Sequence, residues 1–436
     1  VRKLGAGLDL AIAVGVLIAS EQLPDHVAER LGDTAFLGEL GLDGTVRHVA
    51  GALPMAAALD AGEVVVTPSN AVEAALVERL VVRPIAHLRD LIAVLAGEEP
   101  WPAPPVIDRP RSVPSPLDLC QVRGQPFARL ALEVAAAGGH HLLLVGPPGA
   151  GKTMLAERLV GVLPDLEADQ ALEVTAIHSA AAEALPDGGL VRRPPFRSPH
   201  HSASMVSIVG GGTWALRPGE ASLAHRGVLF LDEMGEFSSA VLDGLRQPLE
   251  SGLIRISRAH SSTVLPASFV LVAAMNPCPC GYGGTFRCEC SEAMINRYRR
   301  RVSGPLLDRF DLRVAVSVPD RRELADAIPA EGSAAVAARV QGARARARAR
   351  GVMTNARLSI EQLDEHSSID PAGRRLLDQA IDAGRLSGRG LHRVRAVALT
   401  IDDLHEGDGR LEPEIVAQAM ALRAEVDLRP RAGLAS

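Results

Sequence analysis

Lysine is almost missing from this chain of 436 residues: it occurs at Lys3 and Lys152 alone, and the rest of the 46 basic residues are arginine. A lysine that survives in such a composition is informative. No excess of positive charge exists either, since 52 acidic residues leave a net charge of -6. No global basic field marks the chain for nucleic acid, so any polyanion site must be local. Long apolar runs are absent. The longest uncharged one, Leu10 to Ala19, is well short of the about 20 residues that a membrane-spanning helix needs, so no membrane partner is expected. Residues 1–20 have the outline of a secretory signal, but Asp9 breaks the approach to the apolar stretch, and a cytoplasmic location is expected. Cysteine is scarce, with five in all, and four of them fall together as Cys278, Cys280, Cys288 and Cys290. Such clustering points to metal or redox chemistry in a reducing compartment more than to a disulfide framework. Apolar residues at 47% and charged residues at 22% exclude a wholly disordered, collagen-like or mucin-like chain.

The length suggests roughly three domains. Residues 1–96 alternate short helical and strand patterns, as in a small α/β unit. Seven prolines between Pro100 and Pro116 cannot sit in a helix, so residues 97–116 are expected to form a linker. From 117 to 320, apolar strand candidates at His141–Val145, Val228–Leu231 and Phe269–Ala273 alternate with helices, as in a parallel sheet covered on both faces. Residues 321–436 are expected to be a helical domain, with helical periodicity from 333 to 427. The Arg-Ala alternation from Arg344 to Arg350 reads as a solvated helix.

Gly146-Pro147-Pro148-Gly149-Ala150-Gly151-Lys152-Thr153 follows an apolar strand and opens a helical pattern, the context a phosphate-binding loop requires. Its glycines let backbone N–H groups close on phosphate oxygens, and Thr153 offers a hydroxyl to Mg²⁺. Lys152 is a compact point charge where an arginine fork would be bulkier, which accounts for a lysine here. Gly227-Val-Leu-Phe-Leu-Asp232-Glu233 is an apolar strand ending in two carboxylates. Asp232 is suited to hold Mg²⁺ and Glu233 to polarise the attacking water. Asn276 closes the next apolar strand, where its amide can orient that water; the alternative is an ordinary turn-forming Asn before Pro277. Arg309, between Asp308 and Asp311, is either half of a local salt bridge or a cation for a neighbour's γ-phosphate. Arg389 and Arg393 begin a C-terminal helix and can reach the nucleotide as part of a lid.

These elements, with Phe196-Arg-Ser-Pro-His200-His201-Ser-Ala-Ser, Pro218-Gly-Glu-Ala-Ser-Leu-Ala-His225, Asn276-Pro-Cys-Pro-Cys280-Gly and Leu307-Asp-Arg-Phe-Asp311, resemble the AAA+ ATPases of the magnesium-chelatase-like ComM (YifB) family over nearly the whole chain. The resemblance implies an α/β P-loop NTPase core with a C-terminal helical lid. It implies ATP and Mg²⁺ as cofactors, Asn276 as sensor 1, Arg309 as an arginine finger acting in trans and Arg389 as the sensor 2 candidate, with Arg393 also fitting the family's helix. The first 96 residues resemble the later half of a Lon-protease-like domain, of the ribosomal-protein-S5-domain-2-like fold, and Val1 in place of Met makes the chain look N-terminally truncated. Lon-type proteolysis needs a Ser activated by a Lys, and no lysine lies between Lys3 and Lys152, so peptidase activity is not expected.

Family members are similar to homo-hexameric DNA motors that promote branch migration during recombination in natural transformation, which implies single-stranded or branched DNA as partner. Places for phosphate contacts are Arg255, Arg258 and His260, at a possible basic hairpin tip, and Arg192, Arg193, Arg197, His200 and His201, between the two nucleotide motifs. The alternative is a protein-remodelling ATPase of the magnesium-chelatase type that acts on a partner protein. The four clustered cysteines can converge on a tetrahedral Zn²⁺ if residues 281–287 form a loop, or remain a reduced, metal-free cluster.

Overall fold

Short apolar runs of four to six residues supply the central strands Leu142–Val145, Val228–Leu231 and Val270–Met275, and alternation along each run decides which helices it meets. The computed structural model describes residues 6–24, 26–105, 117–186, 189–212, 216–257, 262–283, 285, 287–319 and 330–423. The expectations for Arg258 and His260, and for the linker from residue 106 onward, fall outside them. Two compact units emerge. One comprises Val1–Ser112, Leu166–Arg193 and Gly210–Gly219, and the other Val113–Asp165, Pro194–Val209 and Glu220–Ser436.

In the first unit, β1 (Thr34–Leu37), β2 (Glu63–Val66) and β3 (Val81–Pro84) form a parallel sheet in the order β1-β2-β3. Val65 turns to one face, against Leu10, Val14, Leu91 and Leu95. Val64 and Val66 turn to the other, against Ala56, Ala71 and Ala74. The sequence pattern assigns all of 117–320 to one block, and the structure differs. Helix Ala168–Ala181 packs on helix Ala52–Ala58, and the Gly51 N–H donates to the Ser179 carbonyl at 2.9 Å. The insertion after the phosphate-binding loop is thus part of the first unit, and Arg192 and Arg193 go with it.

The second unit holds a five-stranded parallel sheet. Its strands are β4 (Leu142–Val145), β5 (Phe196–Arg197), β6 (Val228–Leu231), β9 (Val270–Met275) and β10 (Leu312–Ala315), in the order β10-β4-β9-β6-β5. An antiparallel hairpin, β7 (Leu253–Ser257) and β8 (Ser262–Pro266), precedes β9. Leu142, Leu144, Phe230, Val272 and Leu312 face helices Pro126–Gly138, Lys152–Leu159, Ser333–Ala349 and Gly388–Leu404. Leu143, Val145, Leu229, Leu271 and Met275 face Phe237, Leu242, Tyr298 and Phe310 on the other side. The C-terminal helices therefore share one apolar core with the sheet. Because β9 lies between β4 and β6, the residues that leave these three strands at their carboxyl ends are neighbours, which is where open α/β sheets bind ligands.

Candidate nucleotide site

Each functional side chain at this edge is aimed by a fully buried strand. Val145, at the end of β4, leads into the loop 146–151, where Gly149 and Gly151 adopt φ of 76° and 84°. A side chain would be strained in that region, and Gly151 is the residue from which helix Lys152–Leu159 starts. Lys152 is nearly buried, and its ammonium donates to the carbonyls of Gly146 at 2.7 Å and Pro147 at 2.9 Å and to Asn276 Oδ1 at 3.1 Å. Burial lowers the Lys152 pKa from its ordinary value, and the carboxylates of Asp232 and Glu233 oppose that shift. The Thr153 hydroxyl donates to Asp232 Oδ2 at 2.8 Å, and the Glu233 N–H to Asp232 Oδ1 at 2.9 Å. Glu233 itself is held at φ of 50°, a conformation of the kind that collects at functional sites.

Pro148 to Met154, Asp232, Glu233, Ala274 and Asn276 enclose a cavity of about 420 Å³. Its donors suit a Mg²⁺-bound triphosphate. A hydroxyl and a carboxylate oxygen 2.8 Å apart are hard oxygen ligands at about the spacing of two neighbours around Mg²⁺. The ammonium rests on oxygens that a phosphate can replace, and the helix N-terminus behind it attracts anions. Gln125, which sequence reading passed over, also supports the loop. Its amide donates to Ala150 O at 2.6 Å and Ser317 O at 3.0 Å. The available signal was the Gly124-Gln125-Pro126 turn ahead of an apolar helix. Tyr298 is a second such residue. Its ring packs on Gly235 with no room for a Cβ there. Burial, with Glu236 nearby, pushes its pKa up to about 12.

Arg309 does not line this cavity. Its guanidinium contacts Glu250, and its pKa is depressed by burial and then by the positive charges of Arg393, Arg389 and Arg246. Arg393 is the exception to the expected lid role. It pairs with the buried carboxylate of Asp311 and donates to the Arg309 carbonyl at 3.0 Å, so its charge is spent within the fold. Arg389, at the start of the same helix, is exposed.

Arg197 and His201, expected to contact DNA, have partners within the fold. Arg197 is not a loop cation but part of β5, at the sheet edge, with its guanidinium in a two-point pairing to Glu220 at 2.7 and 3.0 Å. His201 approaches Glu233, with Nδ1 3.6 Å from Oε2 and its ring edge-on to Phe237, and lines a cavity separate from that of Lys152. The His200 ring lies against that of His201, centroids 4.1 Å apart and tilted by 34°, and hydrogen-bonds the Ser202 hydroxyl at 2.7 Å. Arg255 is exposed on the β7–β8 hairpin opposite Val264. The Sγ atoms of Cys278, Cys280, Cys288 and Cys290 all lie within 4.8 Å of one another. Among the described residues no helix is long and apolar enough to cross a membrane.

Residues 118–324 match the family described as magnesium chelatase, subunit ChlI, and residues 330–423 match its C-terminal family. Residues 1–70 match the family described as subunit ChlI of Mg-chelatase. The chain is 42% identical to competence protein ComM of Haemophilus influenzae over 434 residues, covering 98% of this chain and 84% of that protein. It is 42% identical to YifB of Escherichia coli over 412 residues, covering 93% and 80%. Similarity to the magnesium-chelatase 38 kDa subunit of Rhodobacter capsulatus is 29% identity over 224 residues, covering 47% and 60%.

Proposed function

Because the chain belongs to the ComM/YifB family of magnesium-chelatase-like AAA+ proteins, we propose that it hydrolyses ATP to drive movement on DNA, as a homo-hexameric branch-migration translocase in recombination and natural transformation. One observation carries the hydrolytic part: Lys152, Thr153, Asp232, Glu233 and Asn276 converge from three strand ends on one cavity. Lys152 trades its carbonyl partners for β- and γ-phosphate oxygens. Thr153 and Asp232 would hold a Mg²⁺, which would supply charge to neutralise the phosphates. Glu233 accepts the proton of the attacking water, and Asn276 fixes that water between β9 and β6. Arg309, released from Glu250, serves the γ-phosphate of the next subunit, and Arg389 is the sensor 2 residue of the lid.

The DNA part is supported by the exposed Arg255 on a hairpin and by the competence protein among the relatives. Six copies around one axis turn a modest basic tip, with Arg258 and His260, into a ring of phosphate contacts without any net positive charge on the chain. The first unit is read as a Lon-protease-like fold without peptidase activity, since it has no lysine after Lys3 to activate a serine. The similarity to a magnesium-chelatase subunit favours a second reading, remodelling of a partner protein. The ATPase rate with and without single-stranded and four-way-junction DNA separates the two. Stimulation by DNA supports the translocase, and turnover indifferent to DNA supports the remodeller.

A further inference from the structure

The chain between Asn276 and Ser291 does more than connect a strand to a helix. Asn276-Pro277 is followed at once by Cys278, and the chain then doubles back so that Cys288 and Cys290 return to Cys278 and Cys280. The sulfur separations are 3.3 Å for Cys278–Cys280, 3.7 Å for Cys278–Cys288 and 3.8 Å for Cys280–Cys288. None is a disulfide, whose bond is about 2.05 Å. Four thiolates held at about 2.3 Å by one tetrahedral ion stand about 3.8 Å apart, close to two of these three separations, and Cys290 completes a set that lies within 4.8 Å. Cys278 is fully buried and the other three are half-buried. Four thiols this close gain little by packing alone, whereas a thiophilic ion accounts for all of them.

The loop that carries these sulfurs also touches the phosphate-binding loop. Gly281 adopts φ of 84°, and a Cβ there would stand 2.6 Å from Pro148 Cδ. Gly283 leaves only 3.1 Å between its missing Cβ and Pro277. The cysteine loop is therefore wedged between Pro148, on the nucleotide cavity, and Pro277, next to Asn276. We propose that Cys278, Cys280, Cys288 and Cys290 bind one structural Zn²⁺, which fixes the loop that holds Pro148 and Asn276 in place for nucleotide binding. With four thiolates the coordination sphere is closed, so the ion serves to hold geometry and takes no part in the reaction. The effect on the nucleotide rests on the ATP-site reading above, whereas the metal site stands by itself.

The test begins without nucleotide. Protein purified under reducing conditions is assayed for metals and for the reaction of its thiols with a chromogenic disulfide. The expected result is about one zinc per chain, with four thiols protected until a chelator is added. Cys290→Ser should lose the zinc, Cys290→His should keep it, and Cys120→Ser and Lys152→Ala should not change it. Zinc well below one per chain with all thiols reacting at once overturns the site, as does stoichiometric iron with a coloured protein. Binding of a fluorescent ATP analogue then tests the connection. Cys290→Ser and the zinc-retaining Gly281→Ala should each weaken it by about tenfold, relative to Cys290→His. Unchanged affinity in both variants overturns the connection and leaves the metal site standing.

Discussion

The His201 imidazole stands beside the Glu233 carboxylate, Nδ1 to Oε2 at 3.6 Å, although it lines a neighbouring cavity with Phe237 and Arg301 and not the one around Lys152. Glu233 is the residue read as activating water, and a ring packed on Phe237 is a rigid stop for its carboxylate.

His201→Ala should lower kcat of basal ATP hydrolysis by about ten- to a hundredfold, because misplacing a reacting group by an ångström has that effect. KM for ATP and affinity for DNA should stay at wild-type values. Steady-state kinetics and DNA titration on the same preparation check this. Weaker DNA binding with unchanged turnover would return His201 to the DNA-contact reading.

Lys152 and Glu233 should fail differently. Lys152→Ala removes the charge that meets the phosphates and should abolish ATP binding. Glu233→Gln should bind ATP normally and hydrolyse it about 10²- to 10⁴-fold more slowly. Calorimetric titration with ATP, beside a phosphate-release assay, separates the two defects, and turnover comparable to wild type in either variant would refute the assignment.

Arg309 lies outside its own cavity and pairs with Glu250, and the resemblance to AAA+ ATPases predicts for it a role across a subunit boundary. Arg309→Ala should lower turnover by about 10³-fold or more. Rings mixed from Arg309→Ala and Lys152→Ala subunits should regain activity by pairing an intact loop with an intact finger. Demonstrably mixed rings with no recovery would contradict the trans role.

Asp311 joins the sheet to the C-terminal helices. Its carboxylate pairs with Arg393, accepts the His141 N–H at 3.1 Å and lies 3.6 Å from His140. Burial works against the charged form, but His140 and Arg393 outweigh it and hold the carboxyl well below the usual range. Asp311→Ala leaves Arg393 without its partner and should cost about 3–5 kcal/mol, the usual penalty for breaking a buried pair. A depressed carboxyl stabilises the fold above the unfolded value of about 3.9 and loses that contribution as pH falls through the folded value. The gap in urea midpoint between wild type and variant should hold constant above about pH 5 and close progressively as the pH falls below about 4. A gap that stays constant to pH 2 would show that the charge of Asp311 is not what stabilises the fold.

The phosphate loop and the Asp232-Glu233 strand could be read from the sequence because each is local: a few glycines, one lysine and an apolar run ending in acids specify them without reference to the rest of the chain. The side-chain alternation of β4, β6 and β9 was local in the same sense. What could not be read depends on pairing between distant segments. Phe196–Arg197 becomes a strand only by adding to β6, and two residues carry too little pattern to announce that. The placement of 166–193 with the first unit is decided by helix packing between residues more than a hundred apart. Arg393 looked like a lid residue because its helix fits one, while its real partner, Asp311, is far from it in sequence.

The most direct measurement is strand exchange on a labelled, homologous four-way junction, followed by gel electrophoresis with wild type, Glu233→Gln and Arg258→Ala. ATP-dependent conversion to product duplexes is expected from wild type and none from Glu233→Gln. Arg258→Ala should show weakened DNA binding with a flatter salt dependence, because phosphates are its target, while its basal ATPase is retained. A wild-type protein that turns over ATP vigorously, binds the junction and leaves it unconverted would contradict the DNA-motor account.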